Sequence, residues 1–142
     1  MRAKIQWIDS VRFEAVADSG HTVLLDGPAD SGGENRGSRP MELVLMGLGG
    51  CASFDVVNIL AKSRQHVVDC VTELTAERTD SVPQVFESIH IHFTVTGIDL
   101  NEKKVARAVR LSAEKYCSAS IMLERGGVAI SHGYEILEAG NP

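Results

Sequence analysis

Apolar and polar residues alternate imperfectly along residues 4–8 and 12–17, the period of strands with one covered face. Residues 22–26 form a third short strand after the turn pair Ser19-Gly20. Residues 27–40, rich in Gly, Ser, Asp and Pro, read as a loop. A loop of that length inside a compact domain is uncommon and often functional. Ser38, Pro40 and Glu42 spell a helix start: a capping hydroxyl, a proline in the first turn and an acid near the positive end. The pattern predicts a helix over residues 40–63. Its first half is apolar on nearly every side, so it is expected to be a buried central helix. Gly47, Gly49 and Gly50 each cost roughly 1 kcal/mol against Ala in a helix interior. Close approach of another backbone, or room beside Cys51, would offset that cost.

Two long strands follow, over residues 67–79 and 85–97, around a turn at residues 80–83. In the second, Ile89, Ile91, Phe93 and Val95 face one way, and His90, His92, Thr94 and Thr96 the other. In the first, Val68, Cys70, Thr72, Leu74 and Ala76 share a face opposite Asp69, Glu73 and Glu77. Asn101 or Asp99 caps a second helix, whose Val105, Val109, Ser112 or Ala113, and Tyr116 recur at helical spacing. A short helical piece at residues 119–124 ends at Gly126-Gly127, and residues 128–137 form a last strand. Strands, helix, strands, helix and strand make one α+β domain across residues 1–142.

The length of 142 residues suffices for a real core. A net charge of -5 argues against a nucleic-acid partner, because no excess of Lys and Arg can neutralise phosphates. The amino-terminal residues lack the apolar core of a signal peptide. The most apolar run, residues 43–54, is too short for a bilayer and is followed by Asp55 and Asn58. These features point to a cytoplasmic protein with no membrane partner.

Three cysteines are an odd number, and no Cys-x-x-Cys occurs, which favours thiols that stay free or cycle over a disulfide framework. Cys51 lies well inside its helix, so the helix dipole alone cannot activate it. A cation would be required, from Arg36 or Arg39 in the preceding loop or from Arg12. Inert core packing is the alternative for any free cysteine. Cys117, beside Lys115 and Ser118, is a candidate resolving thiol, whereas Cys70 among Val68 and Leu74 reads as structural. His90 and His92 read as a solvated strand face, and His66 and His132 lack ligand spacing. The glycines at 47, 49 and 50 are not a phosphate loop, because no Lys-Ser/Thr follows them. Neither cofactor nor metal is expected, and Trp7 reads as packing in a core or interface.

The segment Ser38-Arg-Pro40-Met-Glu42-Leu-Val-Leu-Met-Gly-Leu-Gly-Gly-Cys51 resembles the Pro-Glu-(Glu/Gln)-Leu…Ala-Ala-Cys signature of the OsmC/Ohr family. These are the osmotically inducible and organic-hydroperoxide-resistance proteins. Tyr116-Cys117-Ser-Ala-Ser is similar to the family's second cysteine segment, and the order of elements fits over the whole chain. The resemblance implies antiparallel sheets packed around two central helices, in an intertwined homodimer with sites at the subunit interface. It also implies a thiol peroxidase: Cys51 becomes a sulfenic acid, Cys117 condenses with it to a disulfide, and a dithiol reductant such as a lipoylated protein restores both. Apolar walls at Leu48 and Phe54 would favour organic or lipid hydroperoxides as substrates. One departure is Met41, where the peroxidases carry a glutamate that orients an arginine. Glu42 comes one residue later, about 100° around the helix. The implied site is thus Cys51 and Cys117, with Arg36, Arg39 and Glu42 in support. The alternative within the same resemblance is a non-catalytic or redox-sensing module that binds a small apolar ligand in the dimer cleft.

Overall fold

The computed structural model describes residues 1–140, which divide into two units at residues 44 and 45. In the first, β1 (Ala3–Asp9), β2 (Arg12–Ala17) and β3 (Thr22–Leu25) form an antiparallel sheet in chain order. Trp7 pairs with Phe13, and Phe13 with Leu25. The tight β1–β2 connection bends through Ser10 at positive φ, and the Trp7 indole N–H donates to the Ser10 carbonyl at 2.9 Å. Trp7 is nonetheless exposed, so it packs in no core of this chain.

The loop after β3 is built rather than slack. Asp26, nearly fully buried, accepts backbone N–H groups from Gly27 at 2.8 Å, Glu34 at 3.1 Å and Arg36 at 3.0 Å. Ser38 does not act as the expected cap. Its backbone instead pairs with Leu24 and Asp26, extending the sheet by one bridge. The start of α1 (Pro40–Lys62) is capped by Glu42, whose carboxylate accepts the Arg39 N–H at 2.9 Å. That is one half of a capping box.

In the second unit, β4 (His66–Arg78), β5 (Phe86–Ile98) and β6 (Ala129–Glu138) form a sheet with β5 in the middle. β4 runs antiparallel to β5, but β6 runs parallel to it, so this sheet is mixed rather than antiparallel. A parallel return needs a long crossover, which α2 (Glu102–Leu111), a π turn (Ser112–Tyr116) and α3 (Ser118–Arg125) supply. The alternation read in β5 holds, with Ile89, Ile91, Phe93 and Val95 all buried. In β4 a register shift between Val67 and Asp69 turns Val68 outward, while Cys70, Thr72, Leu74 and Ala76 keep the inner face.

α1 lays a stripe of Leu48, Gly49, Ala52, Val56 and Leu60 on this unit. A Cβ at Gly49 would meet Leu74 Cδ1 at 2.6 Å, so the glycine permits close approach to β4. Ser53 reinforces the contact, with its Oγ 2.6 Å from Thr72 Oγ1. At 23 residues α1 outruns the apolar stretch read in the sequence, and by length and composition alone it would cross a bilayer. Its packed stripe is that of a core helix. It is not buried all round, however: Val44, Met46, Phe54 and Val57 stand exposed, Phe54 at 71%. Gly47 and Gly50 likewise have nothing within 4 Å of a built Cβ.

Candidate active site

Asn101 caps α2, its side chain accepting the Lys104 N–H at 3.2 Å. Val105, Ala108 and Val109 then face the core at helical spacing, followed by buried Ser112. Continued α-helical spacing would bury Tyr116 next. The π turn changes that outcome, because the Cys117 N–H donates to the Ser112 carbonyl five residues back at 2.9 Å. The wider turn leaves Tyr116 half exposed and brings Cys117 fully inside. Single π turns are rare and often mark functional sites.

Cys117 then begins α3, its sulfur accepting the Ser120 N–H at 3.4 Å. Opposite it stands Cys51, half-buried on α1. One α-helical turn beyond Cys51 is Asp55. The two sulfurs and an Asp55 carboxylate oxygen all lie within 4.8 Å of one another. The fold therefore brings together the two cysteines that the sequence singled out, and adds an acid that it did not. The i, i+4 spacing of Cys51 and Asp55 was the available signal, since such residues share a helix face.

The electrostatics are set by burial. Desolvation is the main cause that pushes the Cys117 thiol up to about 11, with the Ser120 N–H acting the other way and Cys51 and Asp55 adding to the rise. Asp55 is also shifted upward by desolvation, partly offset by a hydrogen bond from Ser112 Oγ at 3.4 Å. The same hydroxyl lies 3.4 Å from the Ala52 carbonyl, so neither contact is strong. Asp55 also lines a cavity of about 480 Å³, walled by Ile59, Leu111 and Tyr116 and carrying Lys62 and Arg107.

The supporting residues lie in the first unit. Arg36 pairs with Glu34 at 2.9 Å, its side chain 64% exposed. Arg39 donates to Asn35 at 2.7 Å and to the Gly37 carbonyl at 3.1 Å. Glu42 is engaged as the helix cap. Arg12, the further candidate, is held by both carboxylate oxygens of Asp9 at 2.7 and 2.6 Å. Each of these groups has a partner within its own unit.

Cys70 is half-buried on β4, with its thiol shifted upward chiefly by burial, as fits a packing residue. His90 bonds Ser131 at 2.7 Å, and His92 lies 3.6 Å from Glu135. Both sit on a strand face with partners of their own.

Residues 32–133 match the family model described as OsmC-like protein. The chain belongs to the OsmC family. It is 50% identical over 139 residues to Protein YhfA of Escherichia coli strain K12, covering 98% of this chain and 100% of that one. A crystal structure of a hypothetical protein from Aquifex aeolicus VF5 superposes with a TM-score of 0.84 at 29% identity, covering 98% of this chain and 97% of the other. The organic hydroperoxide resistance protein OhrB of Bacillus subtilis shares the fold with a TM-score of 0.63 at 19% identity, over 95% of this chain and 98% of that chain. The OsmC family's α+β fold is therefore the fold of this chain.

Proposed function

We propose that this OsmC-family protein is a cysteine-based peroxidase for organic hydroperoxides, with Cys51 as the attacking thiol and Cys117 as the resolving thiol. The observation that carries this reading is the meeting of two free sulfurs, one half-buried and one buried, within 4.8 Å of each other and of Asp55, which lines a cavity. Cys51 attacks the outer oxygen of the peroxide, becoming a sulfenic acid as an alcohol leaves. The Cys117 sulfur then displaces the hydroxyl as water, the sulfurs closing to a disulfide bond of about 2 Å. A dithiol returns both to thiols by exchange. In that cavity Ile59, Leu111 and Tyr116 offer an alkyl hydroperoxide apolar contacts that hydrogen peroxide cannot use.

In this reading the protein is a cytoplasmic homodimer. The exposed Phe54, Val57 and Met46 of α1 support pairing, because apolar side chains in such number on one helix are ordinarily covered. A cation is needed to favour the Cys51 thiolate, and Arg36 and Arg39 are the candidates, with Glu42 in a supporting role.

One equivalent of cumene hydroperoxide, followed by thiol counting and disulfide mapping by mass spectrometry, tests the proposal. Loss of two thiols with a Cys51–Cys117 link is the expected result. Survival of all three thiols in excess hydroperoxide overturns it and favours a binding module for a small apolar ligand.

A further inference from the structure

We infer that Asp55 is the proton-transfer residue of the dithiol, taking the proton from Cys117 as its sulfur attacks Cys51 and passing it to the departing group. This deepens the thiol reading above, but needs only that Cys51 and Cys117 form a disulfide with each other.

Three observations converge on it. The first is placement: one oxygen of Asp55 lies within 4.8 Å of both sulfurs, a gap that one water or a side-chain rotation closes to hydrogen-bond length. The second is need. A buried thiol shifted up to about 11 is almost wholly protonated at neutral pH, and among the described residues no cation acts on it to favour the thiolate. Its attack therefore calls for a base that removes the proton during the reaction rather than before it. The third is the state of Asp55 itself. Its hydrogen bond from Ser112 is long, leaving acceptor capacity free, and burial raises its proton affinity. Cys51 on α1, Ser112 of the π turn and Cys117 at the start of α3 lie against Asp55, and Lys62 on α1, Arg107 on α2 and Tyr116 of the π turn line the same cavity. Only Asp55 among them joins a free acceptor to both sulfurs.

The bookkeeping of the step closes. With Cys51 as a sulfenic acid, the Cys117 sulfur forms the S–S bond and the S–OH bond breaks. The thiol proton passes through Asp55 to the leaving hydroxide, giving water. With Cys51 as a mixed disulfide, the same attack expels a thiolate and the proton passes through Asp55 to solvent. Asp55 ends each cycle ionised.

The second form gives a test independent of peroxide. In a Cys70→Ser background, an aromatic disulfide that releases a coloured thiolate (dithiobis-nitrobenzoate) reacts first at Cys51, and Cys117 then expels a second equivalent. The second release in the parent protein should be nearly flat between about pH 7 and 9, the profile of a step that does not wait for the free Cys117 thiolate. In Asp55→Asn it should be about a hundredfold slower at neutral pH. It should also climb about tenfold per pH unit as it comes to depend on the Cys117 thiolate. Asp55→Glu should recover part of the flat profile. Equal rates and slopes in the parent and Asp55→Asn overturn the inference, and so does a parent that gives no second release. If Asp55→Asn does not fold, the parent profile decides alone: a tenfold rise per unit over that range excludes a base at Asp55. Thiols untouched by hydroperoxide, alongside a flat second release, would sink the peroxidase reading and leave this one standing.

Discussion

The loop between β3 and α1 and the cluster between α1 and α3 both concentrate polar and reactive side chains, and they treat them in opposite ways. Asp26 is buried with three backbone N–H donors, and these, the Arg36 N–H foremost, hold its carboxyl below the usual range. Arg12, Arg36, Arg39 and Glu42 all have partners close by. Asp55 has a single long hydrogen bond, Cys117 has one weak donor, and both hold their protons more tightly than usual. A region whose polar groups are fully paired is built to hold a shape. A region whose groups are desolvated and underpaired keeps free energy available for chemistry.

The sharpest break of that contrast is Cys51→Ser. It should abolish hydroperoxide-dependent loss of the Cys117 thiol while leaving the melting temperature close to that of the parent. A Cys117 thiol that still disappears in this variant would place the chemistry elsewhere. Next in size is the pH dependence of alkylation. In the Cys51→Ser protein, labelling of Cys117 by iodoacetamide should rise about tenfold per pH unit from neutral toward its pKa of about 11. A plateau near pH 8 would show a thiol that is not desolvated.

Smaller effects separate structure from reactivity. Gly49→Ala forces the end of the Leu74 side chain aside, and with the helix gain of Ala over Gly set against that clash it should cost about 1 kcal/mol in denaturant unfolding. No loss there would mean that α1 can retreat from β4. The two carboxylates give the smallest effects, and these have opposite signs. Asp26 is ionised more readily in the folded chain, so it adds stability at neutral pH that is lost as the pH falls through about 4 and below. Asp55 is ionised less readily, so its contribution is present at low pH and lost as the pH rises from about 4 upward. Asp26→Asn should therefore lower the melting temperature at pH 7, and Asp55→Asn should raise it slightly. The same sign for both would erase the distinction between the regions.

The sequence disclosed the parts of this molecule that repeat. The strict alternation of β5 located Ile89 to Val95 in the core, and the spacing of Val105 and Val109 located the inner face of α2. The cysteine segments pointed to the pair of thiols. It did not disclose interruptions of period. The bulge that turns Val68 outward and the π turn that exchanges Tyr116 for Cys117 arise from hydrogen-bond choices that leave no mark in composition. Asp55 escaped for a related reason. As the first acid after an apolar run it reads as the helix emerging into water, and only the placing of Cys117 opposite α1 gives it a second sulfur for a neighbour. The apolar surround of α1 predicts a buried central helix, but one chain covers only one stripe of it.

The π turn at residues 112–116 has a consequence for chain length. It holds one residue more than an α-helical turn closed by the same hydrogen bond would need, and that surplus alone decides which side chain enters the site. Removing a single residue from 113–116 would set the cysteine four places after Ser112, the spacing at which an ordinary helical turn returns to the same face. The thiol would then keep its inward place without the widened turn. The width of the turn and the number of residues in it thus trade off, so a relative with one residue fewer between Ser112 and Cys117 can hold the same pair of thiols in a plain helix.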